Sequence, residues 1–256
     1  MSGCLAVWRK ELTIYFATPI FYLTGFFFLV LAGYFFYSNI AYYTVLSFQA
    51  GQNPYLASML SPQQMVHRPF FGNLAVILLF IAPLFTMRLF AEEKRSGTIE
   101  LLFTLPLTDW GVIFGKFLAA LVLYALLLAV TVLYSGAFAA IMALDWGAVV
   151  VGYLGLLLLG GAFLALGMFC STLTENQIIA AVIAFSLLLL FWIIGWYEEL
   201  GPPAYQGFFR HISMMGHFDA FARGVLDSRD VIYYLSIIFF FLFLTKRQLE
   251  SRAWRG

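Results

Sequence analysis

Six stretches of the chain run apolar for long enough to cross a bilayer, near residues 20–43, 73–91, 113–144, 148–170, 177–197 and 230–246, and their central portions carry no Asp, Glu, Lys, Arg or His. A hydrocarbon core about 30 Å thick needs about 20 such residues in a helix, the form in which a single segment satisfies its own backbone polar groups without water. The sixth stretch is the shortest. Only Val231 to Thr245 is free of charge, about 22 Å at a rise of 1.5 Å per residue, with Lys246 and Arg247 placed to snorkel. Residues 4–17 follow another pattern: Leu5, Trp8, Leu12 and Tyr15 fall on one helical face, with Arg9, Lys10 and Thr13 elsewhere. That spacing predicts an N-terminal helix lying at the membrane surface.

The polar segments between the runs carry their own signals. After the second run, the helix bearing Arg88 to Arg95 should stop at Ser96-Gly97, where glycine takes a left-handed conformation at little cost. Thr98 can then cap a short helix with Glu100 in its first turn, ended by Pro106. Thr108 and Asp109 open the next helix, which enters the membrane past Lys116. Between the fourth and fifth runs, Thr172 with Glu175 and Thr174 with Gln177 make overlapping capping-box patterns. Beyond Pro202-Pro203, the spacing of Phe208, Ile212 and Met215 predicts a short amphipathic helix at the opposite membrane surface. Small residues recur four apart at Gly136 and Ala140, Gly167 and Ser171, and Ala180 and Ala184, a spacing that permits close helix packing.

Composition agrees with a lipid solvent, since 63% of residues are hydrophobic and 11% charged, against about 45–50% and 25% in soluble domains. The net charge of +1 conceals an asymmetry. With six spans, ten Lys and Arg residues fall on the side of the termini and four on the other, while acidic residues divide seven to six. Orientation follows Lys and Arg, so both termini are expected in the cytoplasm. Cys4 and Cys170 fall on that same side, so no disulfide framework is implied. No charged and apolar leader precedes Cys4, so no cleavable signal peptide is expected. The expectation is an all-α integral membrane protein with one membrane domain over residues 1–256.

A proton- or ion-coupled transporter places ionisable groups within the membrane, and an intramembrane enzyme needs positioned acids, bases, nucleophiles or metal ligands. The apolar runs supply neither. His211 and His217 are six apart, a spacing that does not align two metal ligands on one helical face, and His67 is isolated. A channel can be lined by uncharged groups and stays open as an alternative. No Gly-x-x-x-x-Gly-Lys-Ser/Thr phosphate loop occurs; around Gly115-Lys116, Trp110 stands at the first glycine position and Phe117 at the hydroxyl position.

One stretch narrows these classes. Glu92-Glu93-Lys94-Arg95, Gly97-Thr98, Glu100-Leu101-Leu102, Pro106 and Gly115-Lys116 together resemble the characteristic motif of ABC-2 type permeases, the membrane subunits of ATP-binding-cassette exporters. Arg9-Lys10-Glu11-Leu12, Tyr15-Phe16, Pro19, Tyr22 and Gly33 look like the gliding-motility-associated branch of that family. The resemblance implies a coupling helix within residues 92–109 that docks on an ATP-binding subunit, through Glu92, Glu93, Lys94, Arg95, Gly97, Thr98, Glu100, Leu101 and Leu102. It makes the helix bearing Trp8, Arg9 and Lys10 a connecting helix that also touches the ATPase. Glu175, on the same side, becomes a second contact. It further implies a non-catalytic subunit of the inner membrane working by conformational change, with no cofactor of its own; ATP and Mg belong to the partner. The expected companions are that ATPase, a second copy or a related permease, and membrane lipid, with no nucleic acid.

Overall fold

A computed structural model describes residues 2–51, 61–98, 108–200 and 211–253. They are helical, with no strand among the described residues. In chain order the helices are α1 (Ser2–Ala17), α2 (Pro19–Ala50), a π-helical turn (Gln63–His67), α3 (Arg68–Thr86), α4 (Arg88–Arg95), α5 (Asp109–Ala139), α6 (Trp146–Leu173), α7 (Gln177–Leu200), α8 (Met214–Ala222) and α9 (Ser228–Ala253). Six helical segments among the described residues are long and apolar enough to cross a membrane, with α3 and α4 counting as one.

The helix starts follow local chemistry. Pro19 opens α2, where its fixed φ suits the first turn and its missing N–H is not needed. Thr108 Oγ1 accepts from Gly111 N at 3.2 Å to cap α5. Asp145 caps α6 through Gly147 N and Ala148 N, and Ser213 caps α8 through Gly216 N at 2.9 Å. Each satisfies backbone donors that the first turn leaves without an intrahelical partner.

Helix α6 is the hub, packed against α3, α5, α7, α8 and α9. Its glycines let the neighbours approach. A Cβ on Gly160 would lie 2.2 Å from the Tyr124 ring of α5, and one on Gly167 would lie 2.1 Å from Thr86 Oγ1 of α3. Tyr124 uses that space to donate to Leu156 O at 2.8 Å. Such contacts supply the close van der Waals packing that holds helices together in lipid.

Several expected details differ. Helix α2 continues to Ala50 rather than 43, and α5 ends at Ala139 rather than 144, with Asp145 already capping α6. Thr172 lies inside α6 and bonds back to Phe169 O at 2.6 Å, so it does not open the fifth span. Asn176 does that, accepting from Ile178 N at 2.9 Å. On the opposite surface a single helix through Ile212 and Met215 does not form, because Ser213 breaks it and starts α8. The sixth span is longer than its uncharged run: α9 has 26 residues, about 39 Å at 1.5 Å each.

Candidate functional site

The buried stripe of α1 is Val7, Glu11 and Tyr15, with Leu5 exposed and Trp8 and Leu12 only partly covered. The face of α1 packed on the other helices thus differs from the face of Leu5, Trp8 and Leu12, and the reason is electrostatic. A carboxylate occupies its centre because Lys116 of α5 lies opposite. Lys116 is 1% exposed, and its ammonium donates to Glu11 Oε1 at 2.7 Å and to Glu93 Oε1 of α4 at 2.9 Å. Lys10 reaches the same Glu93 oxygen from solvent at 3.2 Å. The Phe90 ring stands 5.2 Å from the Lys116 ammonium, within cation–π range. One buried lysine thus ties three helices together.

Glycine makes this approach possible. A Cβ on Gly115 would lie 2.9 Å from both Cys4 O and Val7 Cβ, so α1 sits directly on the α5 backbone. At the far end of α1, Tyr15 donates to Phe85 O at 2.5 Å, and the Arg88 guanidinium lies 4.9 Å from its ring. Burial, and then the Glu11 carboxylate, push the Tyr15 phenol above its ordinary range, which keeps it a neutral donor. Arg88 Nη1 donates to Thr18 Oγ1 at 2.9 Å, beside the start of α2.

Between α3 and α4 a side chain enters the helical hydrogen-bond ladder. Ser171 Oγ of α6 accepts from both Phe90 N and Ala91 N at 3.0 Å and donates to Met87 O at 3.0 Å. Those groups would otherwise pair along their own helix, and such an insertion breaks it. Lys94 is buried and donates to Thr172 O, adding a second tie from α4 to α6. Helix α4 then ends at Ser96 and Gly97, whose φ of 69° lies in the left-handed region that glycine tolerates. Ser96 Oγ and Thr98 Oγ1 are 2.8 Å apart just beyond.

These helices form the core of the segment matched by the sequence model of a family described as ABC-2 family transporter protein, over residues 5–198. The chain belongs to this family. No curated protein matches it significantly.

Within this ABC-2 permease the motif residues divide. Glu93 and Lys94 turn inward, toward Lys116 and Thr172, whereas Glu92, Arg95, Gly97 and Thr98 are exposed. Arg9 and Lys10 are exposed on α1, and Glu175 is exposed between α6 and α7. Glu100, Leu101 and Leu102 lie outside the described residues. Sequence reasoning missed the roles of Glu11, Arg88 and Ser171. Glu11 had a legible signal: a lysine inside an apolar helix requires a carboxylate partner, and an acidic residue on a membrane-facing helix could supply it. Ser171 had none, since a serine near a helix end has many ordinary uses.

Proposed function

We propose that this ABC-2 permease is the membrane subunit of an ATP-driven exporter, with ATP and Mg held on a separate ATP-binding subunit. That subunit docks where α4 leads into residues 99–107, on the cytoplasmic face of the inner membrane. The ionic clamp at Lys116 carries the reading. It binds the surface helix α1 and the stalk α4 to the spanning helix α5, so a push on either can enter the membrane domain as one movement. Exposed Glu92, Arg95, Thr98 and Glu175 supply the polar rim of the docking surface, with Arg9 and Lys10 on α1. Leu101 and Leu102 supply its apolar centre, where burial of one leucine contributes about 1.5–3 kcal/mol and an exposed ion pair about 0–1 kcal/mol. A second copy, or a related permease, completes the pathway, through which substrate is exported or extracted from the membrane.

The test is a pair of leucine substitutions. Leu101→Ser with Leu102→Ser, in a protein verified to insert, is expected to lower association with the co-expressed ATP-binding subunit and to abolish coupled turnover. Unchanged association and turnover would remove this segment from the docking surface. Transport by the reconstituted permease alone, driven by an imposed pH gradient without nucleotide, would overturn ATP coupling itself.

A further inference from the structure

Beside the ionic clamp, α1 and α4 leave a polar pocket of about 190 Å³, several times what one ordered water fills. Two of its lining side chains are incomplete. Arg88 is 9% exposed; its Nη1 is used by Thr18, but its buried Nη2 has no hydrogen-bond partner among the described residues. Glu93 gives Oε1 to Lys10 and Lys116, while its buried Oε2 likewise has none there. One open group is a cationic donor and the other an anionic acceptor. Buried polar groups are seldom left in that condition, and each such case calls for a ligand or solvent to complete it.

The charges define what fits. Lys10, Arg88 and Lys116 line the pocket together with Glu11, Glu92 and Glu93, so a simple anion would meet carboxylates and a simple cation would meet ammonium and guanidinium groups. A zwitterion satisfies both open groups at once. The location then selects the source. Arg88 packs on Tyr15 and Thr18 at the foot of α2, and the first turns of α2 expose Ile20, Tyr22 and Leu23. Thr18, bonded to the pocket residue Arg88, directly precedes this apolar surface, an arrangement that suits a lipid whose head enters the pocket and whose tails lie along α2.

We propose that this pocket binds the phosphoethanolamine headgroup of a bilayer phospholipid. The phosphate accepts from Arg88 Nη2, with Lys10 at the rim, and the primary ammonium donates to Glu93 Oε2. A choline headgroup has no N–H to donate, and a glycerol headgroup carries the phosphate without a cation. Phosphatidylethanolamine is therefore selected over both. The assignment depends on neither ATP coupling nor the direction of transport.

Native mass spectrometry of the detergent-purified full chain tests it, with phosphatidylethanolamine, phosphatidylcholine and phosphatidylglycerol added separately at equal concentration. Retention of the ethanolamine lipid is expected to exceed that of either other lipid by about tenfold. Arg88→Gln, which loses the phosphate contact common to all three lipids, should lower the retention of each, and Glu93→Gln should reduce the preference for phosphatidylethanolamine over both other lipids. Soluble glycerophosphoethanolamine should compete poorly; competition equal to the lipid would show that the site takes a free headgroup compound instead. Should Arg88→Gln fail to insert, a photoreactive phosphatidylethanolamine on the unaltered protein is expected to label α1 and α4 peptides. Equal retention of the three lipids, or labelling confined to other spans, would overturn the proposal and leave the pocket to a side chain of a partner protein.

Discussion

Lys116 and Glu11 lie 105 positions apart in the chain and meet at 2.7 Å, both nearly closed to solvent. Removing one member strands the other, and stranding a buried charge typically costs about 3–5 kcal/mol. Lys116→Ala is therefore expected to destabilise the detergent-solubilised protein by about 3 kcal/mol, measured by denaturant or thermal unfolding. Pairing Lys116→Met with Glu11→Leu should recover much of that loss. Single substitutions within about 0.5 kcal/mol of the parent, the range of ordinary surface changes, would show that the pair is not buried as described.

Ser171→Ala removes a hydroxyl that serves two amides and one carbonyl. A buried donor left unsatisfied costs about 1–3 kcal/mol, so a loss of about 2 kcal/mol is expected. The sharper readout is amide exchange. Phe90 and Ala91 should lose protection while amides in the middle of α6 keep theirs. Uniform loss along both helices would point to global destabilisation instead of this local bond.

The glycines of the bundle are not equivalent. Gly160→Ala would drive a methyl into the Tyr124 ring, whereas a Cβ on Gly136 meets nothing within 4 Å. The first change is expected to cost about 1–3 kcal/mol and the second to be neutral or stabilising by up to about 1 kcal/mol. Thermal unfolding of the two variants side by side checks the order, and a reversed order would contradict the α5–α6 contact.

Orientation is open to chemical labelling. The ten-to-four division of Lys and Arg predicts cytoplasmic termini. Cysteines at Gln52 and Gln206 should react with an impermeant maleimide on intact cells, and one at Glu250 should react only after permeabilisation. Labelling of the Glu250 position from outside would invert the arrangement.

The number and approximate limits of the spans were legible because about 20 uncharged residues in a row have few other stable environments. Gly97 as a helix end and Thr108 as a cap were legible for a similar reason, since each follows from local backbone chemistry. The tertiary electrostatics were not. The spacing of Leu5, Trp8, Leu12 and Tyr15 marked an apolar face of α1 but not the face packed on the other helices, where the pairing of Glu11 with Lys116 goes with burial of Val7, Glu11 and Tyr15. Periodicity ranks faces by hydrophobicity and cannot register a carboxylate drawn inward by a charge on another helix. Thr172 failed for a related reason: two capping patterns overlapped, and the continuation of α6 to Leu173 left the role to Asn176, which neither pattern named.

The hydroxyl of Ser171 also decides which helix α4 is anchored to. At the break after Thr86, α4 exchanges hydrogen bonds with its own preceding helix for bonds to α6, and Lys94 holds to α6 a turn later. Covalently α4 continues α3, but mechanically it is a branch of α6. A tilt imposed on α4 would bear on α6 as well as on α5 through Lys116, and the N-terminal half of α6 meets α8 at Gly155, where a Cβ would lie 2.4 Å from Phe221. A displacement of α4 would therefore pass into a helix about eighty positions away in the chain as well as into the one it continues.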